Sequence, residues 1–165
     1  MRIRLPVCVA LCLSLCVPCL LGSGPASGGD RSLIGTVTGV WSGDTLMVRV
    51  GSRDRPVHLL GIDAPEGNQA FGTLSRARAA ELALGNRVTV VPIREDARGR
   101  TVGVITLPDG RDLGLELVTS GLARWDRSAA PDARGLEAAE TDARAARRGM
   151  WSGFAPGDLG VRGRD

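Results

Sequence analysis

The stretch LLGIDAPE, residues 59–66, joins an apolar strand pattern to a fixed turn that carries two carboxylates. The apolar residues place Asp63 at the end of a predicted strand, and Pro65 restricts the backbone of the turn that follows. That turn presents Glu66 three residues after Asp63. A strand end that delivers carboxylates in this way is typical of a site that binds a metal ion or activates water.

Two further motifs flank this stretch and complete the set of chemical groups. SGDT, residues 42–45, contains Gly43, which predicts a tight turn presenting Asp44, and DARGR, residues 96–100, ends on Arg100. Two aspartates for a hard cation, a glutamate for water and an arginine for a phosphate are the parts of a metal-assisted phosphodiester hydrolase. Taken singly, each aspartate also fits a plain turn residue, and the arginine fits a solvated charge at a strand end.

The three motifs in this order resemble the thermonuclease family, the staphylococcal-nuclease-like domains, from about Ile34 to Trp151. The resemblance implies a five-stranded OB-type barrel and an extracellular, calcium-dependent nuclease with broad preference for DNA and RNA. Weaker support comes from residues 69–72, 117–123 and 143–151.

The resemblance also implies a role for each matching residue. Asp44, Asp63 and the backbone carbonyl of Ala64 correspond to calcium ligands. Glu66 corresponds to the residue that orients or deprotonates the attacking water, and Arg100 corresponds to an arginine that binds the scissile phosphate.

Two departures from the family pattern, at His58 and Ser42, bear on the chemistry, whereas Ala64 stands where the family often has Thr and a carbonyl ligand tolerates that change. His58 falls where the family has its first phosphate-binding arginine, and an imidazole is shorter and lacks the paired donors of a guanidinium. His58 is therefore either a weaker phosphate contact in a working nuclease or a satisfied barrel residue in a domain that no longer cuts. Ser42 replaces an aspartate common in the family, which removes negative charge near Asp44 and is expected to weaken calcium binding.

The pattern of elements alone predicts an α+β fold, and the barrel rests on the resemblance. Five short strands are expected, with a helix between the third and fourth strands and two more helices at the end, about three in all. Residues 51–55 are expected to form a polar turn. The predicted strands cover residues 34–41, 46–50, 56–62, 88–93 and 101–107, and the predicted helices cover residues 71–84, 113–120 and 132–148.

The first 26 residues read as a signal peptide, with a basic start, an apolar run over residues 5–21 and a small-residue segment after it. An uncleaved membrane anchor is the rival interpretation. All four cysteines lie inside this segment, so neither a disulfide nor a zinc site is predicted for the remainder. We expect export, to the medium or to the periplasm and cell envelope, with no membrane contact after cleavage.

Removal of the signal peptide discards Arg2 and Arg4, so the 21 basic residues fall to 19 against 18 acidic ones. A uniformly basic surface for nucleic acid is therefore not indicated, and an anionic ligand must be met by local charge. The predicted organisation is a linker over residues 27–33, one nuclease-like domain over residues 34–151 and a flexible tail over residues 152–165.

Two functions from different classes fit these residues. The first is a secreted calcium-dependent nuclease acting on DNA or RNA, with single strands favoured and a monomer expected. The second is a catalytically degenerate module of the same fold that binds nucleic acid or protein. Trp125 is expected to cover the barrel in either case, with base stacking as its other interpretation.

Overall fold

The computed structural model describes residues 32–153 of the 165-residue chain. The predicted signal peptide lies outside the described residues, as do residues 27–31 of the predicted linker and residues 154–165 of the predicted tail. Leu33, which the sequence assigned to the linker, begins the first strand.

Seven strands, three α-helices and one 3-10 helix make up the described part of the chain. In chain order they are β1 (Leu33–Val40), β2 (Thr45–Val50), β3 (Arg53–Leu59), β4 (Ile62–Asp63), α1 (Gly72–Ala83), β5 (Arg87–Glu95), β6 (Thr101–Thr106), α2 (Leu113–Thr119), β7 (Arg124–Trp125), α3 (Arg134–Ala145) and the 3-10 helix (Gly149–Trp151).

Five of the strands close into a barrel in the order β1-β2-β3-β6-β5, and β5 pairs with β1 to complete the circle. Neighbouring strands are antiparallel except β3 and β6, which run parallel. The short strands β4 and β7 form a separate two-stranded sheet beside the barrel. The predicted α+β class is confirmed, and the closed five-stranded barrel with three α-helices is consistent with the OB-type fold.

The barrel interior is filled by the alternate residues of each strand. In β2, Leu46 and Val48 are fully buried while Arg49 between Val48 and Val50 is exposed, as a strand with one buried face requires. Helix α1 adds Ala79 and Ala83 to the same core, where small side chains let the helix lie close to the strands. The largest fully buried side chains are those of Leu46, Leu59, Ile105, Leu113 and Leu117.

The turn predicted over residues 51–55 is wrong in its extent. Gly51 adopts a φ of 62°, which allows a tight two-residue connection, and β3 already begins at Arg53. Across this hairpin the Arg49 guanidinium and the Asp54 carboxylate form an ion pair of 2.8 Å, so the polar residues belong to strand pairing. The first, second, fourth and fifth predicted strands match the observed ones within two residues.

The single strand predicted over residues 56–62 is also wrong, because the structure divides it into β3 and β4. Gly61 has a φ of 72°, in the left-handed region that glycine adopts without strain, and the chain changes direction there. A Cβ at this position would lie 2.6 Å from the Cβ of Ala130, so the site also lacks room for a side chain. The break moves Asp63 out of the barrel wall and onto the two-stranded sheet.

The predicted helices are present, and the last one is shorter than predicted. Helix α3 begins at Arg134 and ends at Ala145, because Arg147 adopts a φ of 52° that an α-helix cannot continue. The 3-10 helix then follows. No helix within residues 32–153 combines the length and the apolar character needed to cross a membrane.

The parallel pairing of β3 with β6 matters most for the location of the candidate site. His58 lies opposite Val102 in this pairing, and Thr101 at the start of β6 lies opposite Val57. Arg100, which directly precedes β6, therefore reaches the same end of the barrel as His58. This pairing brings together two residues that are 42 positions apart in the sequence.

Candidate active site

Asp44 lies in the connection between β1 and β2, and its carboxylate is held by three hydrogen bonds. Oδ1 accepts from the hydroxyls of Ser42 (2.7 Å) and Thr45 (2.9 Å), and Oδ2 accepts from the backbone N–H of Ala64 (3.0 Å). The side chain is mostly buried, so these donors fix its orientation. Each carboxylate oxygen has about two acceptor positions, which leaves Oδ2 one position for a further partner.

Gly43 is needed at this connection for a reason different from the predicted one. Its φ is not positive, so the turn does not require the special conformational freedom of glycine. Instead, a Cβ at Gly43 would overlap Ser75 Oγ on α1 and would lie 2.9 Å from the Cβ of Ala64. Gly43 therefore allows α1 to pack directly against the Asp44 connection.

Asp63 and Ala64 lie next to each other beside this carboxylate. Asp63 ends β4 and is exposed, and its side chain has no hydrogen bond or ion pair within residues 32–153. Ala64 is buried, and its N–H donates to Asp44. The peptide that joins Asp63 to Ala64 therefore contacts the Asp44 carboxylate through its N–H group.

The loop before α1 fixes the backbone of Glu66. The Glu66 N–H donates to Gln69 Oε1 (3.2 Å), and the Glu66 carbonyl accepts from the Gln69 N–H (2.8 Å). A Cβ at Gly72 would overlap that same carbonyl, so the first residue of α1 packs directly against Glu66. The Glu66 side chain is exposed and has no partner in the described part of the chain, which leaves its carboxylate open to solvent.

Arg100 is oriented by two partners. Its Nε donates to Asp96 Oδ2 (2.7 Å) and its Nη1 donates to Thr45 Oγ1 (3.2 Å). A guanidinium has five N–H groups, so three of them remain available for a ligand. These N–H groups can donate hydrogen bonds to the oxygens of a phosphate.

Asp96 is a site residue to which the sequence assigned no role. The backbone N–H of Arg100, its side chain and the backbone N–H of Arg98 all donate to this carboxylate and lower its pKa to about 2. A carboxylate that stays ionised near neutral pH holds the guanidinium in place. The turn signal of an aspartate three residues before Gly99 was visible in the sequence, but the contact between the two side chains was not.

Thr45 is the second such residue, and it connects Asp44, His58 and Arg100. Its hydroxyl donates to Asp44 Oδ1, accepts from Arg100 Nη1 and lies 3.2 Å from His58 Nδ1. A hydroxyl has one proton and two acceptor positions. Because the proton goes to Asp44, the arrangement is fully satisfied when His58 donates from Nδ1, which leaves Nε2 as the ring nitrogen available to a ligand.

The hydrogen-bonded row of Asp44, Thr45 and His58 lies between two open clefts. One cleft has a volume of about 310 Å³, and we call it the Arg100 cleft. The other has a volume of about 530 Å³, and we call it the His58 cleft. The Arg100 cleft is lined by Trp41, Ser42, Thr45, Glu66, Gly67, Arg98 and Arg100. The His58 cleft is lined by His58, Ile62, Asp63, Arg124, Trp125, Asp126, Arg127 and Ser128.

Acidic and basic side chains are mixed in the His58 cleft. Asp126 accepts from the hydroxyl (2.6 Å) and backbone N–H (2.9 Å) of Ser128, and the hydroxyl contact above all lowers its pKa. Trp125 donates from its indole N–H to the Ala130 carbonyl (2.9 Å), and the Arg127 guanidinium lies 4.8 Å from its ring centre. Trp125 therefore packs the two-stranded sheet and forms part of the cleft wall at the same time.

The predicted calcium ligands can be tested against the donors present. Within residues 32–153, no three His, Cys, Asp or Glu side chains are grouped closely enough to hold a metal ion. The predicted set relies instead on the carboxylates of Asp44 and Asp63 and the carbonyl of Ala64, all hard oxygen donors of the kind that calcium prefers. The donor types fit calcium, and water or substrate oxygens would have to complete a shell of six to eight ligands.

The structure thus groups Asp44, Ala64, His58 and Arg100 in one network and places Asp63 and Glu66 in the two adjoining clefts. The individual chemical roles of these residues remain predictions.

Comparison with known proteins gives a consistent result. The sequence profile described as "Staphylococcal nuclease homologue" matches residues 56–153. An "Uncharacterized endonuclease" of Escherichia coli O157:H7 is 33% identical over 122 residues, which cover 74% of this chain and 79% of that protein. "Micrococcal nuclease" of Shigella flexneri is 34% identical over 127 residues, covering 72% of this chain and 73% of the relative. "Protein ParB" of Escherichia coli is 34% identical over 140 residues, covering 77% of each chain.

Proposed function

The chain belongs to the staphylococcal nuclease family, and from that premise we propose that it is a calcium-dependent nuclease. It would hydrolyse phosphodiester bonds of DNA, RNA or both, with little sequence preference and with single strands favoured. The observation that carries this proposal is the convergence of Asp44, His58 and Arg100 on the one hydroxyl of Thr45. Relatives with nuclease names support the same class of reaction.

Arg100 is the main phosphate contact in this proposal. Asp96 and Thr45 hold the guanidinium, so its three remaining N–H groups are already oriented before the substrate arrives. Hydrolysis builds negative charge on the phosphoryl oxygens, and donors aimed at that charge stabilise the transition state more than the ground state. His58 would add a single contact from Nε2, which is weaker than the paired contact of an arginine.

Glu66 is the candidate for activating water. Its backbone is anchored against α1 while its carboxylate remains exposed in the Arg100 cleft, so the group can hold a water near a bound phosphate. The carboxylate takes a proton from the water, the water oxygen bonds to phosphorus, and the bond from phosphorus to the leaving oxygen breaks. The leaving oxygen then takes up a proton from solvent.

Asp44, Asp63 and the carbonyl of Ala64 are the groups that would hold calcium. A bound calcium ion supplies positive charge that polarises a phosphoryl oxygen. Ser42 and Thr45 already donate two hydrogen bonds to Oδ1 of Asp44. Oδ2 of Asp44 and the carboxylate of Asp63 would therefore make most of the contact with calcium. Weak binding, strengthened when a nucleotide adds its own oxygens, is the expected behaviour.

A second candidate function is favoured by two specific observations. His58 replaces the family arginine and uses Nδ1 within the protein, and Ser42 donates to Asp44 where the family often has a carboxylate. Both changes remove charge that would act on a phosphate or on a cation. They favour a module that still binds nucleic acid or protein but no longer hydrolyses a substrate.

Degradation of single-stranded DNA by the purified protein, in calcium and in chelator, separates the two candidates. A nuclease degrades the DNA only in calcium, and Glu66→Gln abolishes most of that activity. Glu81→Gln is the matched control, because Glu81 is an exposed carboxylate on α1 that pairs with Arg78 and lies outside both clefts. Binding of the DNA without degradation under either condition would favour the degenerate module.

We further propose that the chain is exported and acts outside the cytoplasm as a monomer. The support for export is the sequence pattern of residues 1–26, a basic start followed by an apolar run and small residues. Expression of the whole chain in a bacterial host, followed by fractionation, tests this. Leu13→Arg should retain the protein in the cytoplasm because it places a charge in the apolar run, whereas Leu13→Val should not. Cytoplasmic retention of the parent protein would contradict export.

A further inference from the structure

The three tryptophans of the chain differ in how the protein uses them. Trp125 has its indole N–H bonded to a carbonyl and its ring contacted by Arg127. Trp151 has Arg144 over its ring, with 4.3 Å between the guanidinium carbon and the ring centre. Trp41 is 57% exposed, and within residues 32–153 its indole makes no hydrogen bond and no contact with a cation. Its ring is therefore available to a ligand.

The backbone under Trp41 is well ordered by hydrogen bonds. The N–H groups of Trp41 and Ser42 both donate to the carbonyl of Thr45, at 2.9 Å and 3.2 Å. Trp41 also directly follows the last residue of β1. The ring is thus presented from the barrel wall and from the same short connection that carries Asp44.

Two arginines and one glutamate, Glu66, line the cleft around the ring, and this excess of positive charge points to an anionic ligand with an aromatic part. Trp41 lines the Arg100 cleft together with Arg98 and Arg100. The Arg98 guanidinium is exposed and has no partner in the described part of the chain, and Arg100 keeps three free N–H groups. A nucleotide combines a flat base with a charged phosphate, and a base stacks on an aromatic ring regardless of its identity.

We propose that Trp41 is the stacking platform for an unpaired nucleobase of the substrate, in the same cleft as the phosphate held by Arg100. This inference rests on the proposed function and names the substrate class more closely. A base in a duplex already stacks on its neighbours, so a lone ring on the cleft rim selects single strands. The Arg98 side chain contributes to the adjacent phosphate and sets no base preference.

Binding measured without cleavage tests the proposal. The probe is a fluorescently labelled oligothymidylate of about ten nucleotides, in chelator, compared with an abasic deoxyribose-phosphate oligomer of equal length. Trp41→Ala should weaken binding of oligothymidylate about tenfold and leave binding of the abasic oligomer unchanged, because only the former has a base to stack. Trp41→Phe should restore most of the affinity, since it keeps an aromatic face.

Ile93→Ala is the matched control, because Ile93 is equally exposed at 57% and lies on β5 outside both clefts. It should leave both affinities unchanged. An unchanged affinity of Trp41→Ala for oligothymidylate would overturn the proposal, as would equal losses on the two oligomers. If Trp41→Ala does not fold, the comparison of Trp41→Phe with Trp41→Leu, which keeps bulk without an aromatic face, decides the question.

The outcome is independent of whether the protein cuts. If Trp41→Ala weakens the binding of oligothymidylate alone and the parent does not degrade DNA in calcium, the stacking platform is supported and the nuclease proposal is contradicted. If the parent degrades DNA in calcium and Trp41→Ala does not weaken the binding of oligothymidylate, the nuclease proposal is supported and the stacking platform is contradicted.

Discussion

The Arg100 cleft and the His58 cleft lie on either side of one hydrogen-bonded row, yet they are organised differently. In the Arg100 cleft a guanidinium is held from two sides and keeps three free donors. In the His58 cleft an imidazole with one nitrogen already engaged lies among acidic and basic side chains. The difference indicates that the guanidinium held in place in advance for a phosphate lies on the Arg100 side of the row.

This asymmetry also separates two kinds of contribution to a reaction. Hydrogen-bond donors that are fixed before the substrate binds need no rearrangement during the reaction. They lower the barrier most when they face the charge that develops in the transition state. A group that must be shared with the protein's own hydrogen bonds contributes less. The predictions below therefore test the Arg100 cleft as the catalytic side and the His58 cleft as the weaker partner.

The largest expected effect is that of Glu66→Gln. The amide keeps the shape of the side chain but cannot accept the proton of the water, so single-stranded DNA degradation should fall by roughly 10²–10⁴-fold. The melting temperature should stay the same, because the Glu66 carboxylate has no partner within residues 32–153. Activity equal to that of the parent would remove Glu66 from the mechanism.

The comparison of Arg100→Ala with His58→Ala tests the asymmetry directly. Loss of a donor that faces developing charge should lower turnover by about 10²–10³-fold for Arg100→Ala. His58→Ala should lower turnover much less, because only one nitrogen faces the cleft. Steady-state rates on the same DNA measure both, and equal losses would show that the two clefts contribute alike.

Thr45→Val should reduce turnover by up to about 10²-fold, since loss of the hydroxyl releases Asp44, His58 and Arg100 from their shared partner. Thr45→Ser keeps the hydroxyl and should recover most of the activity. Calorimetry of both variants supplies the control. A purely structural role for Thr45 would lower the melting temperature of the valine variant without a matching loss of turnover in the protein that remains folded.

His58→Arg should raise turnover about tenfold, because it adds a paired donor on the weaker side. The measurement is the steady-state rate of parent and variant in calcium. A fall in the rate would mean that His58 belongs to a re-tuned site in which the longer side chain misplaces the substrate. Inactivity of both proteins would favour the degenerate binding module.

The smallest expected effect concerns Asp96, whose pKa lies at about 2, below its ordinary value of 3.8. Because the folded-state pKa is lowered, the stabilisation is complete above about pH 4 and is lost as the pH falls towards 2. Asp96→Asn should therefore show a smaller drop in urea midpoint between pH 5.5 and pH 2.5 than the parent. Asp142→Asn on α3 is the control and should follow the parent.

Most of the individual strands and helices were predictable because they depend on local pattern, whereas the closed barrel rested on the family resemblance, since its closing pairings are distant in sequence. Alternating residues gave β2, and the small residues of α1 with Gly85 beyond it gave a helix close to the observed bounds. The division of the third strand at Gly61 was missed, since a single glycine within an apolar run does not show whether its φ is positive.

The candidate site was predictable only in part, for a related reason. Asp44, Asp63, Glu66 and Arg100 stand in short motifs whose residue types indicate chemistry. Their connection through Thr45 depends on side chains 13 and 55 positions away and could not be read from spacing. The role of Gly43 was misjudged because its constraint comes from α1, a partner in space and not in sequence.

The parallel pairing of β3 with β6 has a consequence for the order of folding. Hairpins such as β2–β3 and β5–β6 join strands that are adjacent in sequence, whereas β3 and β6 are separated by β4, α1 and β5. Pairings of this non-local kind form slowly, since a long loop must close first. The shared contact of His58 and Arg100 with Thr45 depends on this pairing, so a chain arrested before it carries every site residue but no assembled phosphate contact. The appearance of activity during refolding should therefore lag behind hairpin formation and report the final closure of the barrel.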